Sequence, residues 1–409
     1  MDFIDNLVAD RLGGSDFFYE DKIFKFEKLK LIRNELQSKY PNIKIIDMGV
    51  GEPDKKADIS IIDTLSIEAY KEENRFYADN GIEEFKVIAC NYLKNLYGLE
   101  NIKPENIVHG IGSKSILAML PTCFINPGDV TLMTVPGYPI IANSTNFLSG
   151  KVFELKLSKE NNFYPDFNSI PKDILKKAKL LYINYPNNPT GQIATLEFYE
   201  KVIDFAKKNN VLVISDVAYG PLVYNNLKPL SIFNVDKDLQ YSIEIHSLSK
   251  AFNMTGWRLA FVVGSEKAIK LFSSVKGYND SGQFIAIQKA GMYALNHPEL
   301  INDNIKRYDR RFNLLVSALK EVGFDVEKPS GGFYCYTKIP KGIKNGIKFN
   351  SAEEVSEYIL NNAFISTVPW DESGSFLRFS VTFEANSIDE EINVVNEVKQ
   401  RLKNLNFEF

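Results

Sequence analysis

Cysteine and histidine are scarce in this chain of 409 residues, with three copies of each. Cys90, Cys123 and Cys335 lack the paired spacing of a zinc site or a disulfide framework. We therefore expect no bound metal, and reduced thiols in a cytoplasmic protein. No apolar run approaches the length that crosses a bilayer, and the first residues lack the basic and apolar segments of a secretory signal. We expect no membrane partner.

Charge of one sign is not in excess either, since 48 Lys and Arg face 52 Asp and Glu and leave a net charge of −4. The basic residues alternate with acidic ones and form no patch, so we expect no nucleic-acid partner. Repeats and Ser/Gly linkers are also absent from the sequence. Hydrophobic residues make up 44% and charged residues 24%, which is ordinary for a globular protein. At this length two or three domains are expected.

Short apolar runs alternate with helical patterns from about residue 46 to residue 300. This alternation predicts an α/β fold, with a mostly parallel sheet flanked by helices on both faces. A helix is predicted over Leu196 to Lys208, where apolar residues recur at helical spacing. The predicted buried strands run from Val130 to Val135, Leu180 to Asn184, Val211 to Ser215 and Leu259 to Val263.

The pattern changes after residue 300 and predicts a smaller α+β domain. Two helix starts carry capping boxes, Ser351 with Glu354 and Ser387 with Glu390. A further helical run, Phe24 to Tyr40, follows an aromatic and polar start. We divide the chain into residues 1–45 (an N-terminal arm and part of the small domain), 46–300 (the large domain) and 301–409 (the small domain). The short strands predicted in the last part are Phe333 to Thr337, Phe364 to Val368 and Phe376 to Thr382.

A lysine stands close to the end of a predicted strand. Lys250 follows the β-rich run from Tyr241 to His246 and lies among small and polar residues. A lysine in such a position forms a Schiff base when a carbonyl is presented to it. Ser247 and Arg258 are residue types that bind a phosphate monoester. A surface lysine with an ion-paired arginine is the alternative interpretation of this segment.

Polar residues follow two other predicted strands. The segment from Asn184 to Gly191 is a turn, and turns at the carboxyl ends of parallel strands bind ligands in open α/β sheets. Asp216 ends an apolar strand, where an anion is costly unless it is paired. A protonated pyridine nitrogen would suit this carboxylate, and Tyr219 could donate to the phenolic oxygen of the same ring. A connecting loop and a helix-capping aspartate are the alternatives.

A glycine-containing turn, Gly110 to Ser115, lies between a predicted strand and an apolar helix. Backbone amides at such a helix start can hold a phosphate. The preceding His109 is interpreted as a structural strand residue rather than a catalyst. The same interpretation applies to His246, which lies in another predicted strand.

In this chain order the segments resemble the fold-type I aminotransferases, the aspartate aminotransferase superfamily, along nearly the whole chain. The resemblance implies the fold of pyridoxal-phosphate-dependent transferases, with a large sheet domain and a smaller α+β domain. It also implies pyridoxal 5′-phosphate as cofactor and a homodimer with shared active sites. The expected reaction is ping-pong transfer of an amino group between an amino acid and a 2-oxo acid. Further matching segments are Asp47 to Asp54, Tyr77 to Gly81, Pro136 to Pro139 and Leu377 to Ser380.

The resemblance implies a role for individual residues. Lys250 would bind the cofactor covalently and then move a proton as general base. Asp216 would keep the pyridine nitrogen protonated, which makes the ring an electron sink, and Tyr219 would donate to the ring oxygen. Arg378 would bind the substrate α-carboxylate, with Asn188 and Gly51 beside it. The implied cofactor-binding residues are Ser113, Lys114, Tyr138, Asn188, Asp216, Tyr219, Ser247, Lys250 and Arg258, with Tyr77 reaching the phosphate of the partner subunit.

Four segments resemble LL-diaminopimelate aminotransferases in particular, which make LL-diaminopimelate from tetrahydrodipicolinate with glutamate as donor. They are Met48 to Asp54, Gly112 to Lys114, Asp216 to Tyr219 and Asp280 to Phe284. The far end of this substrate is a zwitterionic amino acid, so its site needs both cationic and anionic or polar groups. The candidates of the right type are Lys114, Glu52, Asn279 and Gln283.

Other functions stay open on the same residues. Gly220 and Pro221 follow Tyr219, where an acidic residue is often seen in this group, so aspartate, alanine or aromatic amino acids are alternative substrates. A carbon–sulfur lyase would keep Lys250 and Asp216 but release pyruvate and ammonia from cystathionine. A non-catalytic pyridoxal-phosphate domain would serve as a sensor or regulator. We expect no such regulator, because the resemblance leaves no residues for a DNA-binding module and the set of Lys250, Asp216 and Arg378 is complete.

Overall fold

The computed structural model describes the backbone of residues 3–18 and 25–409, and the side chains of residues 3–18 and 29–409. The described strands are β1 (Ile46–Asp47), β2 (Ile107–Gly110), β3 (Val130–Val135), β4 (Lys151–Lys156), β5 (Ala178–Asn184), β6 (Leu212–Asp216), β7 (Ser242–Ser247), β8 (Ala260–Val263), β9 (Tyr334–Lys338), β10 (Gly342–Ile343), β11 (Ile365–Ser366), β12 (Val368–Trp370), β13 (Phe376–Ser380) and β14 (Phe407–Glu408). The described helices are α1 (Lys25–Lys39), α2 (Ile59–Ala69), α3 (Glu83–Tyr97), α4 (Gly112–Phe124), α5 (Ile140–Phe147), α6 (Lys172–Leu175), α7 (Leu196–Asn209), α8 (Leu248–Ala251), α9 (Glu266–Gly277), α10 (Ile285–Asn296), α11 (Ile301–Val322), α12 (Ala352–Ala363) and α13 (Ile388–Lys403).

A seven-stranded sheet in the order β2-β8-β7-β6-β5-β3-β4 forms the centre of the molecule. The strands from β7 to β4 run parallel to one another, whereas β8 is antiparallel to both of its neighbours. The predicted mostly parallel sheet is therefore confirmed, but the strand predicted from Leu259 to Val263 is not one of its parallel members. Its direction follows from the connection after β7, which contains the one-turn helix α8 and a short 3-10 helix (Thr255–Trp257) but no full crossover helix.

Helices cover both faces of this sheet, and successive strand residues pack into different clusters. Leu181 and Ile183 of β5 belong to one buried cluster, with residues of α3, α7 and α10. Leu180 and Tyr182 belong to a second cluster, with residues of α4, α5 and α9. Because side chains alternate across a strand, a strand that is apolar throughout is buried on both sides. The helix predicted from Leu196 to Lys208 is confirmed as α7.

A smaller sheet, β12-β13-β9, follows with both pairs antiparallel. The predicted helix starts are confirmed, because the hydroxyls of Ser351 and Ser387 accept bonds from the backbone N–H groups of Glu354 and Glu390. The strand predicted from Phe364 to Val368 is wrong as a single strand. Phe364 ends α12 in a left-handed conformation, and then β11 pairs with β1 while β12 pairs with β13.

The N-terminal helix is present as α1, and Phe24, the first residue of the predicted run, lies outside the described residues. β1 pairs in parallel with β11, so residues 46 and 47 lie beside the C-terminal part of the chain. The domain boundaries at residues 45 and 300 stay predictions. None of the helices in the described ranges combines the length and apolarity needed to cross a membrane.

Candidate active site

The parallel strands β3, β5, β6 and β7 end at one edge of the large sheet, where a cavity of about 410 Å³ opens. Open α/β sheets bind ligands at this edge. All the residues predicted to bind the cofactor or the α-carboxylate of the substrate line the cavity except Tyr77. The lining consists of Gly51, Ser113, Lys114, Tyr138, Asn184, Asn188, Asp216, Ala218, Tyr219, Ser247, Ser249, Lys250, Thr255, Arg258, Tyr334 and Arg378. Tyr77 lies elsewhere, with 85% of its surface exposed.

Lys250 lies in α8, directly after β7. Its Nζ donates a hydrogen bond to the carbonyl oxygen of Gly51 at 2.5 Å. Burial lowers the pKa of this amine to about 8, with the cations of Arg258 and Arg378 acting in the same direction and the carboxylate of Glu52 opposing them. A lowered pKa increases the share of neutral amine, which is the form that attacks a carbonyl or accepts a proton.

Asp216 is the last residue of β6 and is almost fully buried. Its carboxylate accepts hydrogen bonds from the backbone N–H of Ala218 at 3.0 Å and from the hydroxyl of Tyr182 at 3.1 Å. Burial raises the pKa of Asp216 to about 6, although these two bonds favour the charged form. A buried anion without a full counter-charge suits a cationic ligand group, such as a protonated ring nitrogen.

Asn184 joins the two ligand-binding turns that follow β5 and β6. Its Nδ2 donates to the carbonyl oxygen of Asp216 at 2.8 Å, and its Oδ1 accepts from the backbone N–H of Asn188 at 2.9 Å. One amide side chain therefore holds the turn that carries Asn188 against the strand that carries Asp216. The predicted turn contains this connection, but its spacing does not reveal which asparagine faces the sheet.

Arg378 reaches the cavity from β13 of the smaller sheet. One terminal nitrogen donates to Oδ1 of Asn188 at 2.9 Å and the other to the carbonyl oxygen of Gly49 at 2.6 Å. The guanidinium lies 4.1 Å from the centre of the Tyr334 ring, which is a cation–π contact. This buried arginine is therefore oriented from three sides in the wall of the cavity.

Tyr334 is a cavity residue that the sequence interpretation assigned only to a strand. Its hydroxyl lies 2.9 Å from that of Tyr219. A methyl group added to Gly51 would approach the same hydroxyl to 2.6 Å, so a larger residue at position 51 would displace it. Burial and the neighbouring Tyr334 hydroxyl raise the pKa of Tyr219, which keeps its proton available for donation. The sequence carries no signal for Tyr334 beyond its place in a strand.

The segment that contains Gly51 is fixed by buried charges of the C-terminal helices. Arg311 of α11 is fully buried and donates to Asp54 at 2.9 Å and to Glu391 of α13 at 3.0 Å. Removing one partner from such a network leaves an uncompensated buried charge, which costs about 3–5 kcal/mol. The network therefore anchors the loop at Asp54, three residues after Gly51.

The first turn of α4 faces Arg258 across a narrow gap. Gly112 has a φ of +76°, and a side chain there would overlap the guanidinium of Arg258. Arg258 also donates to the carbonyl oxygen of Thr255 at 2.8 Å. Helix N–H groups, a guanidinium and hydroxyls are the donors that bind phosphate. The serine and threonine hydroxyls that line the cavity belong to Ser113, Ser247, Ser249 and Thr255.

The cavity fits pyridoxal phosphate at both ends. The donor cluster around α4 suits the phosphate, and Asp216 suits the protonated ring nitrogen. The amine of Lys250 and the ring of Tyr138 line the same cavity. Among the described residues no cluster of side chains has the composition of a metal site.

Of the four candidates for binding the distal group of the substrate, only Lys114 lines the cavity. Asn279 is exposed and donates to the carbonyl oxygen of Val275. Gln283 donates to two backbone carbonyls, and Glu52 is exposed beside the Gly51 segment. His246 stacks on Phe261 with ring centres 4.9 Å apart, as a structural strand residue would.

Comparison with known proteins agrees with the class that the fold and cavity define, a pyridoxal-phosphate-dependent transferase. Residues 43–395 match the family described as aminotransferase class I and II, and the chain belongs to this family of pyridoxal-phosphate-dependent aminotransferases. The chain is 51% identical to the LL-diaminopimelate aminotransferase of Methanocaldococcus jannaschii, across 100% of this chain and 99% of that protein. The identity to the LL-diaminopimelate aminotransferase of Methanococcus maripaludis is 49%, across 100% and 99%.

A solved structure shows the same architecture. Substrate-bound BacF from Bacillus subtilis superposes with a TM-score of 0.85 at 30% identity, covering 95% of this chain and 97% of that one.

Proposed function

We propose that this aminotransferase moves an amino group between LL-diaminopimelate and 2-oxoglutarate, with a role in lysine biosynthesis. The observation that carries the reaction is the convergence of Lys250, Asp216 and Arg378 on one cavity at the carboxyl ends of the parallel strands. The substrate is supported by relatives of that name at 51% and 49% identity over the full chain. Lys114, in the cavity wall, supplies a cation for the distal carboxylate.

Bound pyridoxal phosphate supplies an electron sink for the charge that develops when the substrate loses its α-proton. In our proposal Nζ of Lys250 would hold the cofactor covalently and, as a free amine, would accept the α-proton of the substrate and donate it again. The lowered pKa of this amine suits both steps. Its bond to the carbonyl oxygen of Gly51 keeps the freed amine inside the cavity.

The other residues hold the reactants in register. We propose that Asp216 pairs with the protonated ring nitrogen and that Tyr219 and Asn188 donate to the ring oxygen. Tyr138 stacks against the ring. Arg378 binds the α-carboxylate, with Asn188 and Gly51 beside it. The phosphate is bound by the backbone amides of Ser113 and Lys114 and by the side chains of Ser247 and Arg258.

An amino-donor comparison tests the substrate. The pure enzyme with pyridoxal phosphate and 2-oxoglutarate is given LL-diaminopimelate, meso-diaminopimelate, aspartate, alanine, phenylalanine or cystathionine, and glutamate formation is measured. We expect kcat/KM for LL-diaminopimelate to exceed every other value. The meso isomer differs from LL-diaminopimelate only in the configuration of the distal carbon. A lower kcat/KM for the meso isomer would therefore show that the enzyme recognises the distal end of the substrate. Preference for a plain amino acid would refute this substrate, and pyruvate and ammonia from cystathionine without glutamate would indicate a lyase.

Arg378 provides a test of how the substrate is oriented. Arg378→Ala is expected to raise KM about 100-fold for every accepted donor, since a hydrogen-bonded charge pair contributes roughly 1.5–3 kcal/mol. Arg378→Lys is the matched control, because it keeps the charge but cannot form a bidentate pair with a carboxylate. Its KM should lie between those of Arg378→Ala and the wild type. An unchanged KM in Arg378→Ala would mean that another residue binds the α-carboxylate.

We also propose a cytoplasmic homodimer in which Tyr77 reaches the phosphate of the partner subunit. Tyr77 is exposed, and the next residue, Ala78, forms a β-bridge to Gly282. Tyr278, which precedes Gly282 in the chain, is exposed as well. Exposed aromatic side chains are typical of the centres of protein interfaces. The three cysteines are free thiols, as suits a reducing compartment. Light scattering should give twice the chain mass of 46.5 kDa, and a value near 46.5 kDa would contradict the dimer.

A further inference from the structure

Gln283 lies outside the cavity but binds the backbone on both sides of Arg258. Its Nε2 donates to the carbonyl oxygens of Trp257 at 2.7 Å and of Arg258 at 2.9 Å. These two carbonyls belong to the peptide groups that flank the Arg258 Cα, so the amide fixes both planes. Arg258 has a φ of +55°, a left-handed conformation that a non-glycine residue keeps only when its surroundings impose it.

The orientation of the Gln283 amide is itself fixed by a buried histidine. Because both donors of the amide point at carbonyls, its Oε1 must face Nε2 of His109, 3.0 Å away, and accept a hydrogen bond from it. Burial lowers the pKa of His109 to about 4, so the ring is neutral at ordinary pH and carries its proton on Nε2. Nδ1 of His109 has no hydrogen-bond partner among the described residues, which agrees with this tautomer.

The strand that carries His109 leads to one side of the proposed phosphate site, and Arg258 lies on the other side. His109 lies in β2, which leads into Gly112 and the first turn of α4. Arg258 is separated from the start of β8 by a single residue, Leu259. β2 and β8 are antiparallel neighbours, with His109 opposite Phe261. The bridge from His109 through Gln283 therefore sets the position of the Arg258 backbone relative to the helix that supplies the amide donors.

We propose that Gln283 is a positioning residue for the cofactor phosphate, which acts by holding Arg258 in its left-handed conformation while His109 orients the Gln283 amide. This inference rests on the proposed phosphate site. It removes Gln283 from the candidates for reading the distal end of the substrate, because both of its N–H donors and its oxygen are engaged inside the protein.

The test compares two ligands that differ only by the phosphate. Apoenzyme of the wild type and of Gln283→Leu is titrated with pyridoxal phosphate and with pyridoxal, and both dissociation constants are measured by absorbance. We expect pyridoxal phosphate to bind about tenfold more weakly to the variant, the effect of losing one to two ordinary hydrogen bonds. Pyridoxal should bind the two proteins equally, and inorganic phosphate should compete less well for the variant.

Two further variants complete the design. Gln283→Glu keeps the shape but cannot donate to the carbonyls, and it should show the same selective loss if Gln283→Leu folds poorly. Asn106→Leu is the matched control, because Asn106 donates to the carbonyl oxygen of Gly264 at the far end of the same strand pair. It should leave the ratio of the two dissociation constants unchanged.

An equal weakening of pyridoxal and pyridoxal phosphate in both Gln283 variants would overturn the inference, as would no change for either ligand. Failure of the phosphate site itself would look different. In that case the wild type would already bind pyridoxal and pyridoxal phosphate with the same affinity, before any substitution at position 283.

Discussion

Lys250→Ala is expected to lower the rate of transamination by about 10⁴-fold, because it removes the general base together with the covalent attachment of the cofactor. The substitution should also abolish the visible absorption of the lysine–cofactor bond when pyridoxal phosphate is added to the apoenzyme. Both effects follow from the position of this amine, which is buried, reaches the carbonyl of Gly51 and has a pKa lowered to about 8.

The cavity offers a matched control, because Lys114 lines it as well. Lys114→Ala removes a cation from the same cavity, yet the absorption of the lysine–cofactor bond should remain. If the band persisted in Lys250→Ala and vanished in Lys114→Ala, the assignment of the two lysines would be reversed. Stopped-flow absorbance on both variants therefore separates covalent attachment from a general loss of positive charge.

Asp216→Asn is expected to lower kcat by about 10³-fold, equivalent to ~4 kcal/mol, the range seen when one partner of a buried ion pair is lost. An asparagine keeps the size and can still accept from Ala218, but it no longer stabilises a proton on the ring nitrogen. Binding of pyridoxal phosphate to Lys250 should persist, because the phosphate site and the amine are intact. Single-turnover kinetics with a good amino donor measure this separation of binding from chemistry.

The control for this substitution is Asp236, which is also buried and accepts bonds from the backbone N–H groups of Gln240 and Tyr241. Asp236→Asn should lower the melting temperature without changing kcat of the folded enzyme. Asp216→Glu, which restores the carboxylate, should recover part of the lost rate. Equal kcat values for Asp216→Asn and the wild type would contradict the role of Asp216.

Much of the large sheet could be predicted because its strands are short, apolar and separated by helical patterns. Val130 to Val135 was predicted to the residue, since every side chain in it is buried. The direction of β8 could not be predicted, because a continuous apolar run is equally compatible with parallel and with antiparallel pairing. The break between β11 and β12 depends on pairing with two different strands, and local sequence does not carry that information.

The candidate site could be predicted where a residue lies in a distinctive segment, as Lys250 and Asp216 do. Tyr182 and Tyr334 are not singled out by the sequence, and Asn184 only as part of a turn, because their residue types suit packing in strands and turns equally well. Their roles depend on contacts between distant segments, such as the 2.9 Å approach of the Tyr334 and Tyr219 hydroxyls. For Gln283 the sequence alone does not separate binding of a ligand from binding of the backbone, because its amide suits both.

The position of the covalent bond is the most direct test of this account. The wild-type enzyme loaded with pyridoxal phosphate is reduced with sodium borohydride, which makes the bond permanent, and is then digested and analysed by mass spectrometry. The account predicts the added mass on Lys250 in stoichiometric amount, and its loss when the donor substrate is added before reduction. Added mass on Lys114 or another lysine, with Lys250 unmodified, would contradict it.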